Sequence, residues 1–458
     1  MTVQAFSKGR KGSITVFLTL IITTLISFVT AMLDCAVIKT YGSVKSVDAN
    51  MAVHSLFGEY QDELFNEYSI LAVDSRYGKD AAKEKYIEDR LRYYGTEDIE
   101  HKIEGIQMLT DKDCASFRLQ AVKYIEGPLN NDRISSFDEK KGLWEEIILK
   151  GREASKKDKE YGDLLGSLKE EFVSSESDDE NVFEVLENVR RSETIDKLVQ
   201  NGMEISNRKI NTNDMSSKRK LRSGKGLKYD TLKLYSTTAK LSFNEYVLEK
   251  FKNMTDVREN CKGLMYETEY IIGGRDSDKE NLEEVAKKLI YIRMVSNYKY
   301  LKTSTSKNSE VTALSAAIAV IMQNLELEKI IKELLIWLWS YTESKCDVSA
   351  LLSGLKVPEV KTDATWQSGL YDCFSDNVTY FLSDREDGLS YKDYLRMVLY
   401  VTDAKEVTKR ALDMIEVNIR AKRSGFKIDN CFVKIKLQNE ASLIKGVRYC
   451  FPMEFGYE

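Results

Sequence analysis

The first long run of apolar positions is Ile14 to Leu33, 20 residues without a charge. As a helix at about 1.5 Å per residue it spans roughly 30 Å, the thickness of a bilayer's hydrocarbon core, and it predicts a transmembrane helix. A secretory signal peptide competes with that reading, but its apolar stretch is about 7–15 residues long and ends at a small-x-small site. This run is longer, and Val29-Thr30-Ala31 is a poor site. A lipoprotein reading of Cys35 fails on Asp34, which stands where a small residue is expected. The helical rhythm continues beyond the apolar run through Val37, Tyr41, Val44, Val47 and Met51, then Leu56, Tyr60 and Leu64. That spacing predicts one helix to near Tyr68, bent at Gly42 or Gly58 and about 80 Å long if unbroken.

Further along, the pattern alternates between periods of two and of about 3.6. Ile70–Val73, Ile99–Leu109 and Leu264–Ile272 read as strands. So do two final segments, one from Phe426 to Leu437 with a phase switch at Asp429-Asn430 and one from Val447 to Tyr457. Pro452 assigns the last strand to an edge or a bulge. Helices are predicted over Lys79–Tyr94, from an Asp111 N-cap to Ile125, from Leu234 to Met254, after a Ser277-x-x-Glu280 capping box towards Tyr300, and over Ser390–Ala421 behind Ser390-x-x-Asp393. Ala313–Tyr341 is apolar but broken by Gln323, Glu326, Glu328, Lys329, Lys332 and Glu333. It reads as two amphipathic core helices instead of a second span. The fold class is therefore α+β: a transmembrane helix extended into a long helix, then a mostly helical exterior lobe with a small antiparallel sheet.

Charge divides the chain. The overall balance is −5 with only two histidines and three prolines, which suits a helical scaffold and gives no basic character for nucleic acid. Lys8, Arg10 and Lys11 precede the apolar run, so the positive-inside rule puts the N-terminus in the cytoplasm and the bulk outside it. Asp158–Glu187 carries eleven acidic and two basic residues, and Arg208–Lys228 carries eight basic residues against Asp214. The basic block could hold an anionic polymer or a lipid surface, or be a solvated loop, or pair with the acidic block. The organisation expected is residues 1–13 as a cytoplasmic stub, 14–33 as the transmembrane helix, 34–128 as the long helix and first part of the lobe, 129–226 as a charged variable insertion with surviving helices at Leu143–Ile148 and Val182–Val189, and 227–458 as the main lobe.

Candidate chemistry is sparse. Thr15, Thr19, Thr23, Ser27 and Thr30 fall within about 120° of one helical face. Small hydroxyl residues permit close approach of a partner membrane helix, or each hydroxyl can bond its own helix's carbonyls. Seven cysteines are scattered without a CxxC. Cys431 and Cys450 lie nearly symmetrically about the final turn, which allows a cross-strand disulfide, the alternative being two buried thiols. His54 and His101 read as structural or exposed, with no Gly-x-Ser-x-Gly beside them. Gly273-Gly274 could cradle a phosphate, but Asp276, Asp278 and Glu280 would repel it and the P-loop spacing is absent, so it reads as a turn. No metal or cofactor motif is present.

Lys11-Gly12-Ser13-Ile14-Thr15-Val16-Phe17-Leu18 resembles the start of TadE/TadG-like proteins of tight-adherence (Tad/Flp) pilus systems. More closely, the chain resembles an uncharacterised family of single-pass membrane proteins of anaerobic Gram-positive bacteria, related to those. The resemblance runs through Phe57-Gly58-Glu59-Tyr60, Tyr270–Gly274, Gly354–Pro358, Leu389-Ser390-Tyr391 and Asp429-Asn430-Cys431, nearly the whole chain outside the charged segment. The fifth residue after Gly12 is Phe17 where pilin processing favours glutamate, so cleavage there is not implied. The resemblance implies a role in envelope or pilus assembly, with the lipid bilayer and membrane-helix or pilus-assembly proteins as partners. The expected function is a non-catalytic, pseudopilin-like component. A ligand-sensing or wall-binding exterior domain is the alternative, and a wall hydrolase a third.

Overall fold

The computed structural model describes the backbone of all residues except 1–7, 80, 127–130, 175–180, 192–194, 200–202, 228–235, 258–262, 376–387 and 458. Pro128, Cys261, Leu232 and Leu234 lie outside the described residues, as do the side chains of Lys8, Arg10 and Lys11. The chain is α+β, with a long apolar N-terminal helix, a mostly helical body and a four-stranded antiparallel sheet.

Helix α1 runs unbroken from Lys8 to Phe57, about 75 Å at the ordinary rise. Gly42 does not bend it; a Cβ there would lie 3.2 Å from the Tyr449 ring, so the glycine lets the helix press against the sheet. Gly58 ends it, and a separate short helix α2 (Asp62–Tyr68) follows. The end of α1 buries Ala52, Val53, Leu56 and Phe57 together with Ile87 and Leu91 of α3 (Glu84–Tyr93) against one face of the sheet.

In the sheet, β3 (Cys431–Ser442) is central. It pairs along one side with β2 (Ile99–Met108) and along the other with β4 (Arg448–Gly456), while β1 (Val73–Asp74) pairs with its first two residues. Pro452 lies on the edge strand, as its missing N–H requires. Phe432, Ile435 and Leu437 face α1, whereas Lys434 and Lys436 face outward and pair with Glu454 and Glu104. The phase switch near Asp429 is a 3₁₀ turn, Ile428–Asn430, that precedes the strand.

The helical body comprises α4 (Asp111–Ile125), α5 (Asn131–Ser174), α6 (Val182–Arg191), α7 (Ile195–Leu198), α8 (Thr237–Lys250), α9 (Glu267–Gly273), α10 (Asp278–Thr303), α11 (Thr305–Ile321), α12 (Glu328–Leu352), α13 (Tyr391–Val401) and α14 (Ala404–Arg420). Three expectations fail here for local reasons. The Leu264–Ile272 segment is largely helical: Glu267 and Glu269 turn inward to accept the Lys252 and Met254 amides, and Gly274 at φ 68° closes the helix with a left-handed residue. Ser390–Ala421 is two helices, because Asp403 caps a new start by accepting the Lys405 and Glu406 amides. Asp111 is not an N-cap. It is followed by three left-handed residues, and its carboxylate accepts the Met108 and Gly224 amides. At α10, Ser277 accepts the Glu280 amide as expected, and at α13 the Ser390/Asp393 capping box is complete.

The charged segment is built into the body and does not stand apart from it. Trp144, Ile148, Ile195 and Leu198 join the same apolar core as Phe117, Tyr246, Leu289 and Leu412. Among the described residues, ion pairs from the basic block run to acids far along the chain: Lys218 to Asp276, Arg219 to Glu416 and Asp429, and Lys225 to Glu84. Arg219 reaches Glu416 through two bonds of 2.7 Å and also Asp429, with its own side chain 11% exposed. The block ends in a strap: Lys225 exchanges both main-chain bonds with Ile106, at 2.9 Å each, covering the free edge of β2. Gly224 and Gly226 flank it because a Cβ on either would sit 2.0 or 2.2 Å from a β2 carbonyl oxygen.

Candidate functional site

Two features stand out, one on α1 and one inside the helical body. On α1, none of the apolar run is buried by the rest of the chain, and it is long and apolar enough to cross a membrane. It fits a single-pass membrane anchor. Thr19 donates to Val16 O at 2.9 Å, Thr23 to Thr19 O and Leu20 O, and Thr30 to Ile26 O and Ser27 O. These hydroxyls are turned back onto their own helix, which leaves a face of small side chains instead of outward donors. Thr15 and Ser27 share that face. Beyond the apolar run the lobe packs against one side of α1, burying Gly42, Ala49, Ala52 and Val53, while Val37, Tyr41, Val44, Val47 and Met51 stay 42–58% exposed. Val16, Thr23, Thr30, Val37, Val44 and Met51 recur every seven residues, and Thr19, Ile26, Leu33, Thr40 and Val47 do so three positions on. That is the a/d spacing that left-handed coiled coils use, continuous from the apolar run onto the stalk.

Cys431 and Cys450 are not brought together. Cys450 is exposed opposite Glu440, while Cys431 is buried at the far end of β3, roughly 30 Å away at the rise of a strand. The near-symmetric spacing was misleading because the strands are long and β4 does not reach back to Cys431. Burial pushes the Cys431 thiol well above its ordinary pKa, so it stays a neutral apolar group. His101 is also buried, between Thr96 Oγ1 and Asn439 Oδ1 at 2.7 Å each, and burial lowers its pKa. His54 stacks edge-on with Phe455.

Inside the body, the crossing of α10 and α12 holds a buried ionic cluster. Leu289, Arg293 and Asn297 lie one turn apart on α10, and Glu343 and Asp347 one turn apart on α12; all five are buried. Arg293 Nε donates to Asp347 Oδ2 at 2.9 Å, and Asn297 Nδ2 donates to the same oxygen at 3.0 Å. The loop after α12 brings in Lys361, whose fully buried ammonium lies between Glu343 and Asp347, 2.7 Å from the latter. Glu343 also accepts the Gln367 and Ser368 amides. Burial raises the Glu343 pKa, with the Asp347 charge adding to it and Lys361 opposing. Burial would raise Asp347 as well, but Arg293 and Lys361 outweigh it and hold that carboxyl below its ordinary value.

The cluster presents its basic side to a cavity of about 460 Å³ between α5, α10 and α13. Arg293, Lys361 and Tyr394 line it, whereas Glu343 and Asp347 do not. Arg293 Nη1 donates to Tyr394 Oη at 2.9 Å and to Glu359 O, while its Nη2 has no partner. None of these residues is singled out by sequence reasoning, whose helix reading of that stretch stops at Tyr341. The available signal was their setting in Leu334–Leu352, apolar on both flanks.

No curated protein and no solved structure matches the chain. Residues 173–443 match a family described as of unknown function. The match takes in the basic block, its strap and the whole ionic cluster, and covers more than half of the sequence. The chain belongs to that family of unknown function, DUF5702.

Proposed function

We propose that this protein is a non-catalytic, TadE/TadG-like subunit of a tight-adherence pilus or secretion assembly, anchored by α1 with its N-terminus in the cytoplasm and its lobe outside. The observation that carries the reading is the seven-residue seam on α1, unbroken from Val16 to Met51 and left uncovered by the lobe. A lipid-facing helix needs no such seam once it leaves the bilayer, and water disfavours exposed Val37, Val44 and Met51. A partner helix that leaves the same membrane in parallel would cover both halves: small residues allow close approach in lipid, and branched apolar residues interlock outside it. Lys8, Arg10 and Lys11 support the orientation.

The occupant of that seam is the membrane helix of another envelope-assembly subunit. A photo-crosslinking residue at Val44 or Thr23, introduced in living cells, should give adducts identified by mass spectrometry as a pilus-assembly protein. The same residue at Lys39, on the other side of α1, should not, and Thr19→Leu with Thr23→Leu should weaken capture. Adducts to lipid alone, or capture indifferent to position, would overturn the assembly reading. A ligand-sensing exterior domain is the second reading, and the cavity beside Arg293 is the observation that favours it.

A further inference from the structure

We infer that the cavity between α5, α10 and α13 binds a small carboxylate with an apolar body. Its volume of about 460 Å³ lies within the range of ligand pockets, roughly 300–1,000 Å³. Ile147, Ile292, Val295, Leu389 and Met397 make apolar walls. Lys150, Arg293, Lys299 and Lys361 line it, the Lys361 ammonium being held behind the wall by Glu343 and Asp347, and Glu146 and Glu359 are its two acidic residues. Glu146 is engaged by Lys150 at the rim, and Glu359 contributes its carbonyl to Arg293.

The floor is short of acceptors. Arg293 is 3% exposed and its Nη2 has no partner. Tyr394 Oη receives a hydrogen from Arg293, and among the described residues no acceptor takes its own proton. Buried donors without acceptors are costly, and a carboxylate that reaches this floor would supply oxygens for them. A guanidinium beside a phenol suits the planar, two-oxygen geometry of a carboxylate. Asp347 and Lys361 hold the guanidinium and the floor in place from behind, so the site is set before the ligand arrives. The apolar walls then require a hydrocarbon body behind the carboxylate, in place of a bare ion.

Such a ligand has two sources, a free medium-chain fatty acid or the C-terminus of an apolar peptide. Full-length protein in lipid nanodiscs, with empty nanodiscs as reference, would be titrated with octanoate and with N-acetyl-leucyl-leucine. At least one should bind saturably, and the tighter identifies the source. Octanol and the amide of the peptide should bind at least tenfold more weakly. Val295→Trp at the mouth should abolish binding, and Lys299→Glu on the exposed rim should weaken it several-fold. Both changes avoid the buried cluster, so they remain informative if Arg293→Gln fails to fold. Binding of alcohol and acid with equal strength, binding unaffected by Val295→Trp, or no saturable binding by either carboxylate would overturn the inference.

Discussion

Buried carboxylates in this chain do what regular secondary structure cannot do for irregular backbone. Asp111, Glu267, Glu269, Asp278, Glu343 and Asp413 each accept a main-chain N–H from a loop or a turn. Glu269 is the most exposed to pH in its consequences. Its carboxyl is fully buried, accepts from Met254 N and Tyr391 Oη, and has its second oxygen unpartnered. Burial pushes its pKa from 4.5 up to about 7. The folded state therefore holds a proton that the unfolded chain releases above about 4.5, and this contribution to stability is lost as pH rises through 7. Over that window the group accounts for about 3 kcal/mol of pH-dependent stability. Glu269→Gln, compared with the parent by denaturant unfolding at pH 5 and pH 8, should flatten the dependence by about that amount. An unchanged slope would show that the carboxyl is already ionised in the fold. At this scale the sequence was partly legible. The caps at Ser277 and Ser390 announce themselves by spacing, because a cap is a local event. Arg293 and its partner Asp347 are 54 residues apart in the chain, and no local pattern distinguishes a charge that will be buried from one that will be solvated.

The elements that were legible are those whose own pattern decides them. The long helix as far as Gly58, β2, the two final strands and the first part of α12 are announced by their own apolar spacing. Leu264–Ile272 was not legible because Tyr270-Ile271-Ile272 before two glycines suits a strand as well as a helix end. Two acids folding inward and a left-handed glycine decide it. The strap at Lys225 was hidden for another reason: its charge suggests solvent, while the two glycines beside it serve close approach to β2. That element makes a sharp prediction. Gly224→Ala places a methyl 2.0 Å from the Ile106 carbonyl oxygen, a backbone atom that cannot yield without disrupting the strand. The strap should detach, with a loss of about 1–3 kcal/mol, and the Ile106 amide should lose its protection from hydrogen exchange. Retained protection at Ile106 would mean that the strap contributes nothing to the edge. An uncovered β2 would also present free main-chain groups for association with other chains.

For the whole molecule, one core joins residues from Leu64 to Val433, so the lobe is a single body into which the charged segment is threaded. None of that core draws on Ile14–Leu33. A chain beginning at Asp34 should fold in the absence of lipid, with its melting temperature within about 2 °C of the intact protein in detergent. A collapsed or aggregating lobe would show that the apolar run has a second, structural task. The docking of Gly42 against Tyr449 carries a further consequence. Gly42 lies only nine positions past Leu33, about 13 Å of helix. The polar headgroups occupy about 5–8 Å of that on each side of a bilayer. Ile38 also packs on the lobe, so with the apolar run in a bilayer the lobe would lie close against the lipid surface, on a rod that contains no hinge. With α1 in a bilayer, any search for partners would be confined to two dimensions along the membrane, among proteins that stand close to the headgroups.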